Sequence, residues 1–173
     1  MPAFGFASAG AILVGEAIGR RAIDDVPRIV RRAAGVAMLW MASVGAIYLL
    51  APAPLIRLFE PEDATTGTLL ASGTLMLRMA ALWQLFDGLA MALSEALRAA
   101  GDTTWCMILR VVLAWGIFTP LAWASIFVWG GGVTTLMVSL IAYMCALALA
   151  FYLRYATGRW KRIQLLEPDE PLV

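Results

Sequence analysis

Between Arg78 and Glu95 the only ionisable side chain is Asp87. If Glu95 and Arg98 mark a membrane interface, a rise of 1.5 Å per residue sets Asp87 about 12–16 Å into a helix, near the middle of a bilayer. An ionised carboxylate at that depth costs about 2.5–3.5 kcal/mol on insertion scales, so it should face a bundle interior and have a use or a partner. Gln84, Asp87, Met91, Ser94 and Arg98 follow the 3–4 spacing of one helical stripe. The stripe predicts a polar face on which Gln84, Met91 and Ser94 line a cavity beside Asp87. In a functional reading Asp87 is a coupling carboxylate that takes H⁺ or Na⁺ in one state and releases it in another. In a structural reading it is hydrogen-bonded to backbone, or to a neighbouring Ser or Trp, and joins helices. The residues alone admit both.

Other groups carry weaker signals. Glu16 is a possible second acidic site, but it lies within a turn of Arg20 and Arg21 and is equally read as an interfacial acid that snorkels or pairs there. Arg78 is half a turn around from Asp87 and about 13 Å along the axis, so it cannot neutralise it from the same helix; it is read as reaching toward headgroups. Pro120, inside an apolar run, marks a possible kink. Cys106 and Cys145 are isolated and histidine is absent, which excludes a His-based metal site or Ser-His triad and leaves the thiols as small packing residues. No catalytic or metal-ligand set emerges, apart from Na⁺ at Asp87.

The elements that position these groups are membrane helices. Apolar residues make up 62% of the 173 and charged ones 14%, against roughly 45–50% and 25% in soluble domains. At about 20 residues per crossing, five spans are expected: about 2–19, 33–56 (ended or distorted by Pro52 and Pro54), 68–97, 104–129 and 134–153. They are joined by an arginine-rich loop 20–32, the acidic turn Glu60-Pro61-Glu62-Asp63, a capping turn at Gly101-Asp102-Thr103-Thr104 and Gly130-Gly131-Gly132. Residues 1–162 form one bundle in this reading, and 163–173 a disordered cytoplasmic tail. Lys and Arg gather at alternate connections, which predicts the N-terminus outside and the C-terminus in the cytoplasm. Trp105 and Trp129 fit interfacial belts. Ala7, Ala11, Gly15 and Gly19 make a smooth strip for close helix approach. A net charge of +1 gives no reason to expect nucleic acid as a partner.

Several stretches, in order and at matching spacing, resemble one family. Leu13-Val14-Gly15-Glu16-Ala17-Ile18-Gly19 is similar to L-V-G-Q-x-L-G, and Leu82-Trp83-Gln84-Leu85-Phe86-Asp87-Gly88 to F-Q-L-F-D-G/A. Ala96-Leu97-Arg98-Ala99-Ala100-Gly101-Asp102-Thr103 looks like L-R-G-x-G-D-T, Trp115 and Pro120 keep a W-x4-P spacing, Leu58-Phe59 looks like an extracellular corner, and Gly158-Arg159-Trp160 resembles the C-terminal end. Together they resemble the NorM-type branch of the multidrug and toxic compound extrusion (MATE) transporters. The departures are Glu16 for Gln, Ala99 for Gly, and Phe118-Thr119-Pro120 for G-L-P.

The resemblance implies the last five helices of a twelve-helix, two-lobed antiporter of the plasma membrane. Such an antiporter exchanges Na⁺ or H⁺ for organic cations or drugs by alternating access and has no cofactor. Asp87 falls on the acidic position tied to cation coupling in the C-terminal lobe. The N-terminal lobe, supplied in cis or by another chain, would be the required partner. Two other readings stand beside it: a non-transporting structural or assembly protein or decayed fragment, and a lipid-linked oligosaccharide flippase relative. The flippase reading would call for more cationic residues within the helices than Arg78.

Overall fold

The computed structural model describes residues 2–58, 66–128 and 130–163, and all regular structure among them is helical. The helices are α1 (Pro2–Gly19), α2 (Val26–Leu50), α3 (Pro52–Arg57), α4 (Thr66–Ala99), α5 (Thr103–Leu113), α6 (Thr119–Phe127) and α7 (Val133–Ala156). Short 3₁₀ turns occupy Ile23–Asp25 and Arg159–Arg162, and a π turn, Ala114–Phe118, makes α5 and α6 one continuous rod. Five helices, counting that rod once, are long and apolar enough to cross a membrane. The protein is therefore an all-α integral membrane protein that crosses the bilayer several times. The acidic turn at 60–63, Phe59, Trp129 and the expected tail from 164 onward lie outside the described residues.

Two boundaries differ from the sequence reading for clear reasons. The expected loop 20–32 shrinks, because α1 closes with Arg21 in the left-handed region (φ 60°) and the Ala22 N–H donating to the Ala17 carbonyl at 2.8 Å. The chain then re-enters a helix with Pro27 in the first turn, where a missing N–H costs nothing. Arg28, Arg31 and Arg32 thus ride the first turns of α2. At the far end α2 stops at Leu50 and Pro52 opens α3, as a residue that cannot continue the hydrogen-bond ladder requires.

The centre of the bundle is α4, which packs against α1, α2, α5 and α7. Small residues set these approaches. A Cβ on Gly10 would lie 2.5 Å from that of Ala33, and one on Gly45 would lie 3.4 Å from the Ala81 carbonyl oxygen. The face of α1 buried within this chain is Ala3, Ala7, Gly10, Val14 and Ala17, with which the expected strip only partly coincides. Ala7 belongs to it, whereas Gly15 and Gly19 are exposed. A strict four-residue repeat advances 400° per step and winds off the face, while alternating 3–4 steps stay on it.

The continuous core joins Val14, Ala17, Val30, Leu93, Leu97, Leu147, Phe151 and Trp160, from the arginine-bearing ends of the helices. Gly158 at φ 64° ends α7 and turns the chain, so that Trp160 stacks on Tyr155 at 5.7 Å with its indole N–H donating to the Tyr155 carbonyl. At the opposite end the Oγ atoms of Ser125 (α6) and Ser139 (α7) lie 3.1 Å apart, both buried. The α5–α6 rod is outermost, with Met107, Val112, Trp115 and Trp123 turned outward. Its π turn immediately precedes Pro120, and the Thr119 hydroxyl donates to the Ala114 carbonyl at 2.9 Å. The possible kink at Pro120 thus falls just after a widened turn in the rod.

Candidate functional site

Asp87 lies in the middle of the described part of α4 and is half-buried. Its sequence neighbours fix its direction. Gly88 meets α2, where an added Cβ would stand 3.1 Å from Met41 Cγ, and Phe86 lies beside Cys145, Leu149 and Tyr152 of α7. At 100° per residue Asp87 points between these two contacts. Among the described residues its carboxylate has no hydrogen bond and no ion pair. One turn before it, on the same face, the side-chain oxygen Oε1 of Gln84 is buried without a donor. The buried Gln84 Oε1 thus lacks a donor one turn from a half-buried carboxylate, an arrangement that suits a bound cation or proton donor, since buried acceptors are rarely left unpaired.

Along the same face, Met91 is half-buried and Ser94 is 3% exposed, its hydroxyl donating to the Met91 carbonyl at 3.0 Å. Ser94 and Arg98 line a cleft of about 220 Å³ with Thr103, Cys106, Met107 and Arg110 of α5 and Phe151 of α7. Of the sequence-derived stripe, Ser94 and Arg98 line this cleft, whereas Gln84, Asp87 and Met91 are not among its lining residues. Arg98 is held by Glu95 at 2.8 Å. Arg110 of α5, exposed on its own helix, bears electrostatically on Asp87. Glu16 is exposed on α1 and Arg78 exposed on α4, neither in an ion pair among the described residues. Pro120 is exposed on the outer rod, away from the α4 stripe.

Sequence reasoning missed a second acid. Asp102 sits at the N-terminal cap of α5 but makes no side-chain cap bond. Its two carboxylate oxygens instead accept from Arg154 of α7, at 2.7 Å from Nε and 3.1 Å from Nη2, a bidentate fork. The pair is deeply placed, with the side chains 7% and 16% exposed. Gly101 makes the turn possible: at φ 89° it lets the Asp102 N–H reach the Leu97 carbonyl at 3.0 Å, closing α4 and aiming the carboxylate at α7. The Arg154 guanidinium also lies 4.8 Å above the Trp105 ring, which meets Phe151 edge-on. Trp105 is therefore a packing partner inside the junction as well as an aromatic near the helix end. Fifty-two residues separate Asp102 from Arg154, and no periodicity in the sequence links them.

Comparison with known proteins places this geometry. The MatE family model matches residues 1–124. Among curated proteins, the probable multidrug resistance protein NorM of Thermotoga maritima is 28% identical over 96% of this chain and 35% of its own length. The Synechocystis protein of the same name is 28% identical over 79% of the chain and 32% of its length. The multidrug resistance protein NorM of Burkholderia vietnamiensis is 31% identical over 71% of the chain and 27% of its length. No solved structure matches. The chain spans about a third of the length of these relatives. A match over most of the chain, carried by the same helices that hold Asp87 and the Asp102 turn, means that the chain belongs to the MatE family.

Proposed function

We propose that this chain is part of a cation-coupled multidrug efflux antiporter that exchanges H⁺ or Na⁺ for organic cations by alternating access. The observation that carries the reading is the half-buried Asp87 carboxylate at mid-helix, without a hydrogen bond among the described residues and one turn from the buried, donorless Gln84 Oε1. Family membership and the multidrug resistance names of the relatives support it. The working unit in this proposal includes a further lobe, in cis or as a second chain, since alternating access moves two lobes about a midplane site. Arg20, Arg21, Arg28, Arg98 and Arg159 lie at one end of the helices, which supports a cytoplasmic assignment for that end and an external N-terminus. In this reading the protein has no cofactor beyond the coupling ion and resides in the plasma membrane.

The test is uptake or release of a fluorescent organic cation in proteoliposomes holding the chain alone, or the chain with a polypeptide carrying the other MatE helices. Each is driven in turn by a Na⁺ and a pH gradient. Gradient-dependent flux that falls to background in Asp87→Asn, with unchanged helix content, is the expected result. Full coupled flux in Asp87→Asn would refute the assignment of the coupling residue. Absence of flux from both preparations would favour a structural membrane protein.

A further inference from the structure

Two charges of opposite sign, neither in an ion pair among the described residues, occupy the packed helices α4 and α5. Asp87 on α4 lacks a partner, and so does Arg110, eight residues past Asp102 on α5, among the described residues. Arg110 lines the same cleft as Ser94 and Arg98, and Ser94 lies on the Asp87 stripe seven residues on, about 10 Å along the axis. An arginine side chain is long and flexible enough to swing over much of that interval. The other charges nearby are engaged or lie elsewhere. Arg98 is bound to Glu95 and Arg154 to Asp102, Arg78 lies half a turn around α4 from Asp87, and Arg28, Arg31 and Arg32 belong to the first turns of α2; Arg110, like Arg78 and Glu16, is exposed.

We infer that Arg110 is a tethered counter-cation for Asp87: it swings onto the carboxylate when the coupling ion leaves and is displaced when an ion binds. This rests on the proposed role of Asp87. Binding of H⁺ or Na⁺ is then an exchange of one cation for another at the same oxygens, so the ion-free carboxylate is never left bare in the membrane. Arg110 lowers the apparent affinity for the ion, and in doing so sets the concentration range over which the site loads and releases.

The experiment uses the chain in detergent micelles. Its thermal unfolding midpoint is followed while NaCl replaces choline chloride at constant ionic strength, and separately while pH is varied; an ion bound only by the folded state raises the midpoint. Wild type is expected to show a Na⁺- or pH-dependent component of the midpoint that Asp87→Asn lacks, the pH dependence of the other titratable groups being common to both. In Arg110→Gln the half-saturating concentration of the ion responsible should fall roughly tenfold or more, the effect of removing an opposite charge close to a carboxylate. Arg110→Lys, which keeps the charge, should stay near wild type. Where Arg110→Gln fails to fold, Arg110→Met, which keeps an apolar stem, takes its place. An unchanged half-saturation in the neutral variants, with the response still lost in Asp87→Asn, overturns this inference and leaves the role of Asp87 intact. Absence of any ion response in wild type overturns both.

Discussion

Breaking the Asp102–Arg154 fork is the most direct test of how the five spans are held in register. The pair is 7% and 16% exposed and bidentate at 2.7 and 3.1 Å, so removing one member leaves a charge stranded among Leu97, Cys106 and Phe151, all buried nearby. Breaking a buried pair by removing one partner costs about 3–5 kcal/mol. Cys106 provides a local reporter, since its thiol is 4% exposed and sits one turn from Asp102. In a Cys145→Ala background it is the single cysteine. If labelling requires the α4–α5–α7 junction to open, Arg154→Ala should raise the maleimide reaction rate roughly a hundred- to several-thousand-fold, because each 1.4 kcal/mol is a factor of ten.

Three companions sharpen the test. Arg154→Lys keeps the charge but loses the fork and should fall between wild type and Arg154→Ala. Asp102→Leu alone should open the junction as strongly as Arg154→Met alone. The double variant should return toward wild type, since an apolar replacement of similar volume leaves no stranded charge. A wild-type labelling rate in Arg154→Ala, or single effects that simply add in the double variant, would refute the claim that this pair locks the junction.

Other substitutions give graded expectations, each read from thermal unfolding in detergent. Gly10→Ala should destabilise by about 1–3 kcal/mol, because its methyl would meet Ala33 at 2.5 Å, whereas Gly15→Ala, with nothing within 4 Å, should be neutral or slightly stabilising. Ser125→Ala or Ser139→Ala should cost only about 0.6 kcal/mol, the average for an interhelical hydrogen bond in a membrane, since each hydroxyl also bonds within its own helix. Gly101→Ala should lose about 1–2 kcal/mol from forcing a side chain into φ 89°, and it should also speed Cys106 labelling by disturbing the turn that aims Asp102.

Membrane class and span number were legible because the signal is local: an apolar run of about 20 residues needs no knowledge of its neighbours. The Asp87 stripe was legible for a related reason, since spacing along one helix places Gln84, Met91 and Ser94 on the same face whatever packs against it. What escaped the sequence was relational. Arg28, Arg31 and Arg32 read as loop because they are charged, yet their long stems let them sit in the first turns of α2. Small residues recur every four positions on α1, but the helices packed on it within this chain select the 3–4 set containing Gly10 and Val14, leaving Gly15 and Gly19 exposed. Asp102 read as a cap because it precedes a helix; only the return of α7 supplies Arg154.

Asp102 and Asp87 are treated oppositely among the described residues, and that contrast bears on function. Around Asp102 the fold supplies a forked guanidinium, an aromatic face beneath it and a glycine turn to aim it, which is what a bundle does with a carboxylate that must stay put. Around Asp87 it supplies none of these among the described residues, although Arg110 stands in the adjoining cleft. A carboxylate serving only to join helices gains by being closed with the nearest cation, because an unpaired charge in the membrane is costly. One left open beside a donorless Gln84 oxygen retains room for an exchangeable ion, and the proposed ion exchange at Asp87 draws on this difference between the two acids.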